Sequence, residues 1–264
     1  MDLKRIYQTE LYKMLRRRIN LILLIPVLLA LLIIIGYNSG NLVLGVVGEE
    51  NTTLYSCLDF VMLVWTFISA TGLYALLMIL VAAYQFSGEI EQGQIKLMLL
   101  RIGNRSNLLV GKALALLTLT ILSVLLFLGT IIAAYYVYLV PSNTVSGNFS
   151  VTMMDLQNYQ VIGTVIASFI SFLFFMILTY FIGVKGSPFM TFIITLVLMF
   201  ITKTLVGIES LSFMKYTSFY LENQYMIGNQ FSSSNVLIAF IVTFFLIVFI
   251  FILAITRFNK IDIK

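Results

Sequence analysis

Six long apolar runs separated by shorter polar stretches organise the chain, at residues 20–37, 60–86, 108–140, 161–184, 189–208 and 236–256. A helix needs about 17 to 25 apolar residues to cross roughly 30 Å of hydrocarbon, where each backbone N–H and C=O must be paired within its own segment. Every run meets that length. The pattern therefore predicts an all-α integral membrane protein with six transmembrane helices, a single domain over 1–264 without internal repeats.

Ahead of the first run, Leu3, Ile6, Tyr7, Leu11, Met14 and Leu15 recur at helical spacing, with Arg5, Thr9 and Arg16 opposite. This predicts an amphipathic helix over 1–19 lying on the membrane surface, with Arg16, Arg17 and Arg18 anchored among lipid headgroups. A disordered basic leader is the alternative. Glu10 falls inside the apolar arc and breaks its pattern. A cleaved signal peptide would also place basic residues before an apolar run, but the leader is long, no small-residue cleavage site follows and five more runs do.

Three polar interruptions stand out. The stretch 141–160, "PSNTVSGNFSVTMMDLQNYQ", is rich in turn formers and reads as an external loop; Asn51 and Asn148 open triplets that match glycosylation acceptors. The stretch 209–235 is aromatic, with Phe213, Tyr216, Phe219, Tyr220 and Tyr225, and carries Glu209 and Glu222. Short interfacial or re-entrant helices before the sixth span fit it, as does an ordinary aromatic cap at the interface. The third, "SGEIEQGQIKLMLLRIGNRSNLLVGK" from Ser87 to Lys112, has two apolar stripes when treated as a helix: Ile95, Met98, Leu99 and Ile102 on one side, and Ile90, Gly93, Leu97 and Leu100 on another. Such a helix has two greasy sides to cover. The protein's own spans would take one and a peripheral protein the other.

Composition agrees with the pattern: 61% hydrophobic and 10% charged residues, with a mean hydropathy of +1.04. Fourteen of the 16 Lys and Arg lie before the first span, around 87–112, at Lys185 or after the last span, whereas Glu49, Glu50 and Asp155 are the charges of the first and third connections. The positive-inside rule then places both termini in the cytoplasm. The net charge of +5 is a matter of topology and anionic lipid, and nucleic acid is not expected as a partner.

Enzyme chemistry finds little to work with. The chain has no histidine and one cysteine, Cys57, so no intrachain disulfide forms and no metal or catalytic set is expected. Ion-coupled carriers place ionisable groups near the bilayer midplane; here Asp59 and Lys203 lie toward the external ends, and Lys203 is expected to snorkel outward. "VGKA" at 110–113 lacks the glycine and hydroxyl of a phosphate-binding loop. Energised work would therefore draw on another chain.

The stretch "EIEQGQIKLMLLRIGNRSNLLVGK" resembles the cytoplasmic segment between the second and third spans of type-2 permeases of ATP-binding cassette (ABC) exporters, which reads E-x-x-x-G-T-hydrophobic-K, then R-P-x-S-R, then G-K. Glu89, Gly93, Lys96, Arg101, Arg105 and Lys112 occupy matching positions; Gln94, Ile102 and Asn104 replace the usual Thr, Pro and Ser. Loss of the proline implies a helix that runs further or turns differently. What the resemblance implies is a coupling helix within 87–107 that docks on a separate ATPase subunit through Glu89, Gly93, Ile95, Lys96, Met98, Leu99, Arg101 and Arg105. ATP and Mg would be bound by that subunit, with no cofactor in this chain. A second permease copy or paralogue would complete a multi-pass complex of a bacterial cell membrane. Without buried charge the wall suits an amphipathic or hydrophobic substrate, and the resemblance implies a peptide such as a toxin, bacteriocin or antimicrobial peptide; lipid, drug or sodium export stays open. From a different class, a non-transporting scaffold or sensor that recruits a cytoplasmic partner would use the same helix.

Overall fold

Alternating turn residues and apolar runs yield ten α-helices among the residues described by the computed structural model, 2–42, 55–150, 158–208, 211–226 and 233–260. Glu49, Glu50, Asn51, Asp155, Glu209, Lys264 and the side chain of Tyr225 lie outside the described residues. Six helices are long and apolar enough to cross a membrane: Arg18–Asn38, Leu73–Glu91, Arg105–Leu139, Ile162–Gly183, Pro188–Val206 and Asn235–Lys260. The protein is an all-α, multi-pass membrane protein.

Helix α1 (Leu3–Arg16) buries Ile6, Glu10 and Met14, one residue per turn. Its buried face packs along the first half of α6 (Arg105–Ala134): Ile6 meets Gly111, and the Tyr7 hydroxyl lies 3.0 Å from Thr118 Oγ1. A 3₁₀ stretch, Arg18–Leu24, leads into α2 (Ile25–Asn38), where Pro26 sits in the first turn, which lacks a hydrogen bond to lose.

The apolar run at 60–86 is not one helix. It divides into α3 (Cys57–Ala70) and α4 (Leu73–Glu91), broken at Gly72 in the left-handed conformation (φ 67°). Thr71 Oγ1 closes the end of α3 by donating to Ile68 O at 2.7 Å. At ~1.5 Å per residue α3 is only about 21 Å long, too short to cross, so α4 alone makes the second span. Buried Ser56 and Asp59 cap α3 reciprocally, with Ser56 Oγ donating to Asp59 Oδ2 at 2.7 Å. Asp59 is thus a helix cap.

An aromatic knot joins α3, α4, α6 and α7 (Asn158–Gly183). Tyr74 stacks on Phe172 at 5.5 Å, Trp65 meets Phe127 edge-on at 5.7 Å, and Trp65 Nε1 donates to Ser168 Oγ at 3.2 Å. A tight turn holding Lys185 leads to α8 (Pro188–Val206), capped by Ser187.

The 209–235 segment holds a 3₁₀ turn, Ser212–Tyr216, and α9 (Ser218–Met226). This is more than an interfacial cap: Phe219 of α9 packs on Phe174 and Phe175 of α7 at 5.0 and 5.6 Å. Helix α10 (Ser233–Lys260) returns to the start of α6, where Arg105 Nη1 donates to Phe258 O and Asn259 O at 3.4 and 3.3 Å. Arg257 donates to Phe181 O near the α7–α8 turn. Helix α1, the α4–α6 connection, the α7–α8 turn and the end of α10 therefore share one end of the bundle, hereafter the terminal face.

Candidate coupling site on the terminal face

Between α4 and α6 lies α5 (Gln94–Ile102), bounded on both sides by glycines in the left-handed conformation, Gly93 (φ 68°) and Gly103 (φ 73°). A side chain there would be strained, so these glycines let the chain turn sharply into and out of a nine-residue helix. The missing proline does not lengthen it. Gly103 ends it by donating its N–H to Leu99 O at 2.8 Å, and the Asn104 side chain starts α6 by accepting from Asn107 N at 3.2 Å.

The two stripes of α5 are resolved by their burial. Ile95 is fully buried, and Met98, Leu99 and Ile102 pack half-buried on the protein's own core. Of the expected contact residues, Ile95, Met98 and Leu99 lie on the stripe that turns toward α4 and α6. Leu97 and Leu100 face outward, 70% and 81% exposed, flanked by exposed Lys96 and Arg101. The pattern placed Leu97 and Leu100 on one of two stripes without deciding which stripe the protein covers itself. A cleft of about 180 Å³ runs beside them, lined by Ile6, Thr9, Glu10, Leu97, Met98, Arg101 and Ile102. Gly93 forms the turn, and Arg105 is spent on the carbonyls at the end of α10.

Glu89 stands outside α5. It belongs to the last turn of α4, is 2% exposed, and is the centre of a five-residue ionic node. Lys13 Nζ and Arg17 Nη2 approach its Oε1 at 2.5 and 2.6 Å, while Lys112 of α6 pairs with its Oε2. Lys112, 1% exposed, also donates to Glu10 Oε2 at 2.8 Å. Arg17 further donates to Gln94 Oε1 at 3.2 Å, reaching the first residue of α5. Burial and the nearby Lys112 charge hold the Lys13 ammonium below the usual lysine range, against the pull of Glu89 and Glu10. The node explains why Glu10 interrupts an apolar arc: buried carboxylates persist where cations meet them. Arg17 is half-buried in the node, whereas Arg16 and Arg18 are exposed, Arg16 stacked over Tyr12 at 4.6 Å.

Mechanically, the node clamps α1 to the two spans that flank α5. Its link to α5 is the hydrogen bond from Arg17 to Gln94.

A family model described as protein of unknown function (DUF2705) matches residues 13–264. The chain belongs to this family. The match takes in α5 and every node residue except Glu10. No curated protein matches this DUF2705 chain.

Lys203, expected to reach outward, instead donates to Ser69 O at 3.1 Å at the end of α3 and lies 3.6 Å from Glu222 Oε1 on α9. Among the described residues, no group of three or more His, Cys, Asp or Glu is arranged to hold a metal ion.

Proposed function

We propose that this protein is the membrane-spanning subunit of an ABC exporter, and that α5 is the helix on which a separate cytoplasmic ATPase subunit docks. One observation supports this reading above the others: a short, glycine-bounded helix between two spans that presents Leu97 and Leu100 outward between Lys96 and Arg101. An exposed apolar pair with a basic rim is the composition of a small protein interface, and it lies on the face richest in basic residues, the cytoplasmic one by the positive-inside rule. Both termini are then cytoplasmic.

The work divides accordingly. The ATPase binds ATP and Mg and closes on hydrolysis-competent nucleotide; α5 moves with it; the node carries the motion to α1, α4 and α6, which reshapes the pathway between this chain and a second permease copy. The cargo is an amphipathic or hydrophobic molecule in a bacterial cell membrane, a toxin-like or antimicrobial peptide being the class the family resemblance favours.

The test is to tag the chain, solubilise it from its native membrane and identify what co-purifies by mass spectrometry, beside Leu97→Asp and Leu100→Asp variants. A stoichiometric ATPase subunit lost from the variants supports docking on α5. Recovery without an ATPase, in several detergents, overturns the reading in favour of a non-transporting scaffold or sensor.

A further inference from the structure

The first span does not begin as an α-helix. Arg18–Leu24 is a 3₁₀ stretch, in which residues three apart lie above one another on one face, about 6 Å per turn. Arg18, Leu21 and Leu24 share such a face. The stretch runs beside α6, where Ser123 Oγ donates to Leu23 O at 3.3 Å. Between the two lies a cleft of about 160 Å³, walled by Leu21 and Leu24 on one side and by Leu119, Leu122 and Leu126 on the other, with Arg17 at its end nearer α1. Leu21, Leu24, Leu122 and Leu126 are exposed. From Leu119 to Leu126 the wall covers about 10 Å of α6, so the cleft is an open apolar depression at the start of a span, and Arg18 stands one turn above its leucines.

Charge at this end of the span is unevenly matched. The ionic node and the two arginines flanking Arg17 bring together five cations, Lys13, Arg16, Arg17, Arg18 and Lys112, and two carboxylates, Glu10 and Glu89. Arg17 is already paired with Glu89 at 2.6 Å. Arg18 is exposed, and among the described residues no carboxylate pairs with it. A guanidinium directly above an apolar cleft that opens sideways into the bilayer matches both halves of one molecule, a phosphate and an acyl chain. The cationic surplus selects against a basic amphiphile and in favour of a lipid with net negative charge.

We propose that the cleft between the 3₁₀ stretch and α6 holds one acyl chain of an anionic phospholipid whose phosphate pairs with Arg18. The site requires no ATPase partner and stands apart from the export reading.

The experiment is native mass spectrometry of the full chain in mild detergent with equal amounts of dioleoyl phosphatidylglycerol and dioleoyl phosphatidylcholine. The first lipid retained is expected to be phosphatidylglycerol, preferred by about fivefold. Arg18→Gln should remove most of that preference, whereas Lys260→Gln, equally exposed at the end of α10, should leave it. Leu122→Trp, which fills the cleft from an exposed position, should cut phosphatidylglycerol retention severalfold; Leu125→Trp, exposed but outside the cleft, should not. These variants change exposed side chains only, and all four should keep the gel-filtration profile of the unmodified protein. Equal retention of the two lipids, or equal losses in Arg18→Gln and Lys260→Gln, would reduce the effect to general surface charge and overturn the proposal. Equal behaviour of the two Trp variants would overturn the place of the acyl chain. A dimer mass lost in Leu122→Trp, with lipid retention unchanged, would overturn it in favour of a second copy of this chain.

Discussion

Replacing Lys112 by Met keeps the length and apolar stem of the side chain but removes the cation that joins Glu10 to Glu89. The two carboxylates do not suffer equally. Glu89 keeps Lys13 and Arg17 at 2.5 and 2.6 Å, whereas among the described residues Glu10 keeps only the Lys13 ion pair, at 3.9 Å. At 2.8 Å and an effective dielectric constant near 20, the Glu10–Lys112 attraction is about 6 kcal/mol, much of it offset by desolvation. Removing one member of such a buried pair costs roughly 3–5 kcal/mol, because the other charge is left without a partner. For a chain of this size that corresponds to a fall in melting temperature of about 10 °C. Thermal unfolding followed by gel filtration in mild detergent measures it, with exposed Lys96→Met as the control. The decisive variant is the double change Glu10→Gln with Lys112→Met, which removes the orphaned charge and should recover at least half the loss. A Lys112→Met protein as stable as the Lys96→Met control, or a double variant no better than the single, would refute the pairing.

Opposite faces of α5 should respond differently to the same substitution. Leu97→Asp and Leu100→Asp, on exposed side chains, are expected to change stability by less than about 0.5 kcal/mol while losing a partner in co-purification. Ile95→Asp buries a charge among apolar groups and should prevent recovery of folded protein by gel filtration. A Cβ on Gly111 would lie 2.7 Å from Ile6 Cγ2, so Gly111→Val should force α1 off α6 at a cost of about 1–3 kcal/mol; adding Ile6→Ala should restore the melting temperature. Asp59→Ala removes the N3 half of the capping box whose N-cap is Ser56, at a cost of roughly 1 kcal/mol. Cys57, fully buried one residue beyond the Ser56 cap, should then react with a maleimide roughly fivefold faster, and an unchanged rate would deny Asp59 its capping role.

Much of the architecture was legible along the chain because lipid imposes a simple rule of length and apolarity, and glycine marks turns. Five of the six spans fall where their apolar runs lie, and α5 sits inside the polar insert at 87–107. The second run misled because a single glycine inside a long apolar run is also compatible with a continuous helix, and the left-handed conformation of Gly72 decides for a break. The candidate site was half legible. The family resemblance named Lys96 and Arg101, but two apolar stripes leave open which one the protein covers itself.

By itself the sequence determined the fold class, the number of spans, the clustering of basic residues at one end and the place of the short helix between two spans, all of them local properties of composition and spacing. Only the tertiary structure decided the pairings across distance. Glu10 and Lys112 are 102 positions apart, and each looks misplaced until the other is beside it. Glu222 looks like a residue of a water-facing segment until α9 packs on the middle of α7. A charge in an apolar setting is tolerated only by what comes to meet it, and that partner is chosen by packing in three dimensions, which no spacing along the chain records.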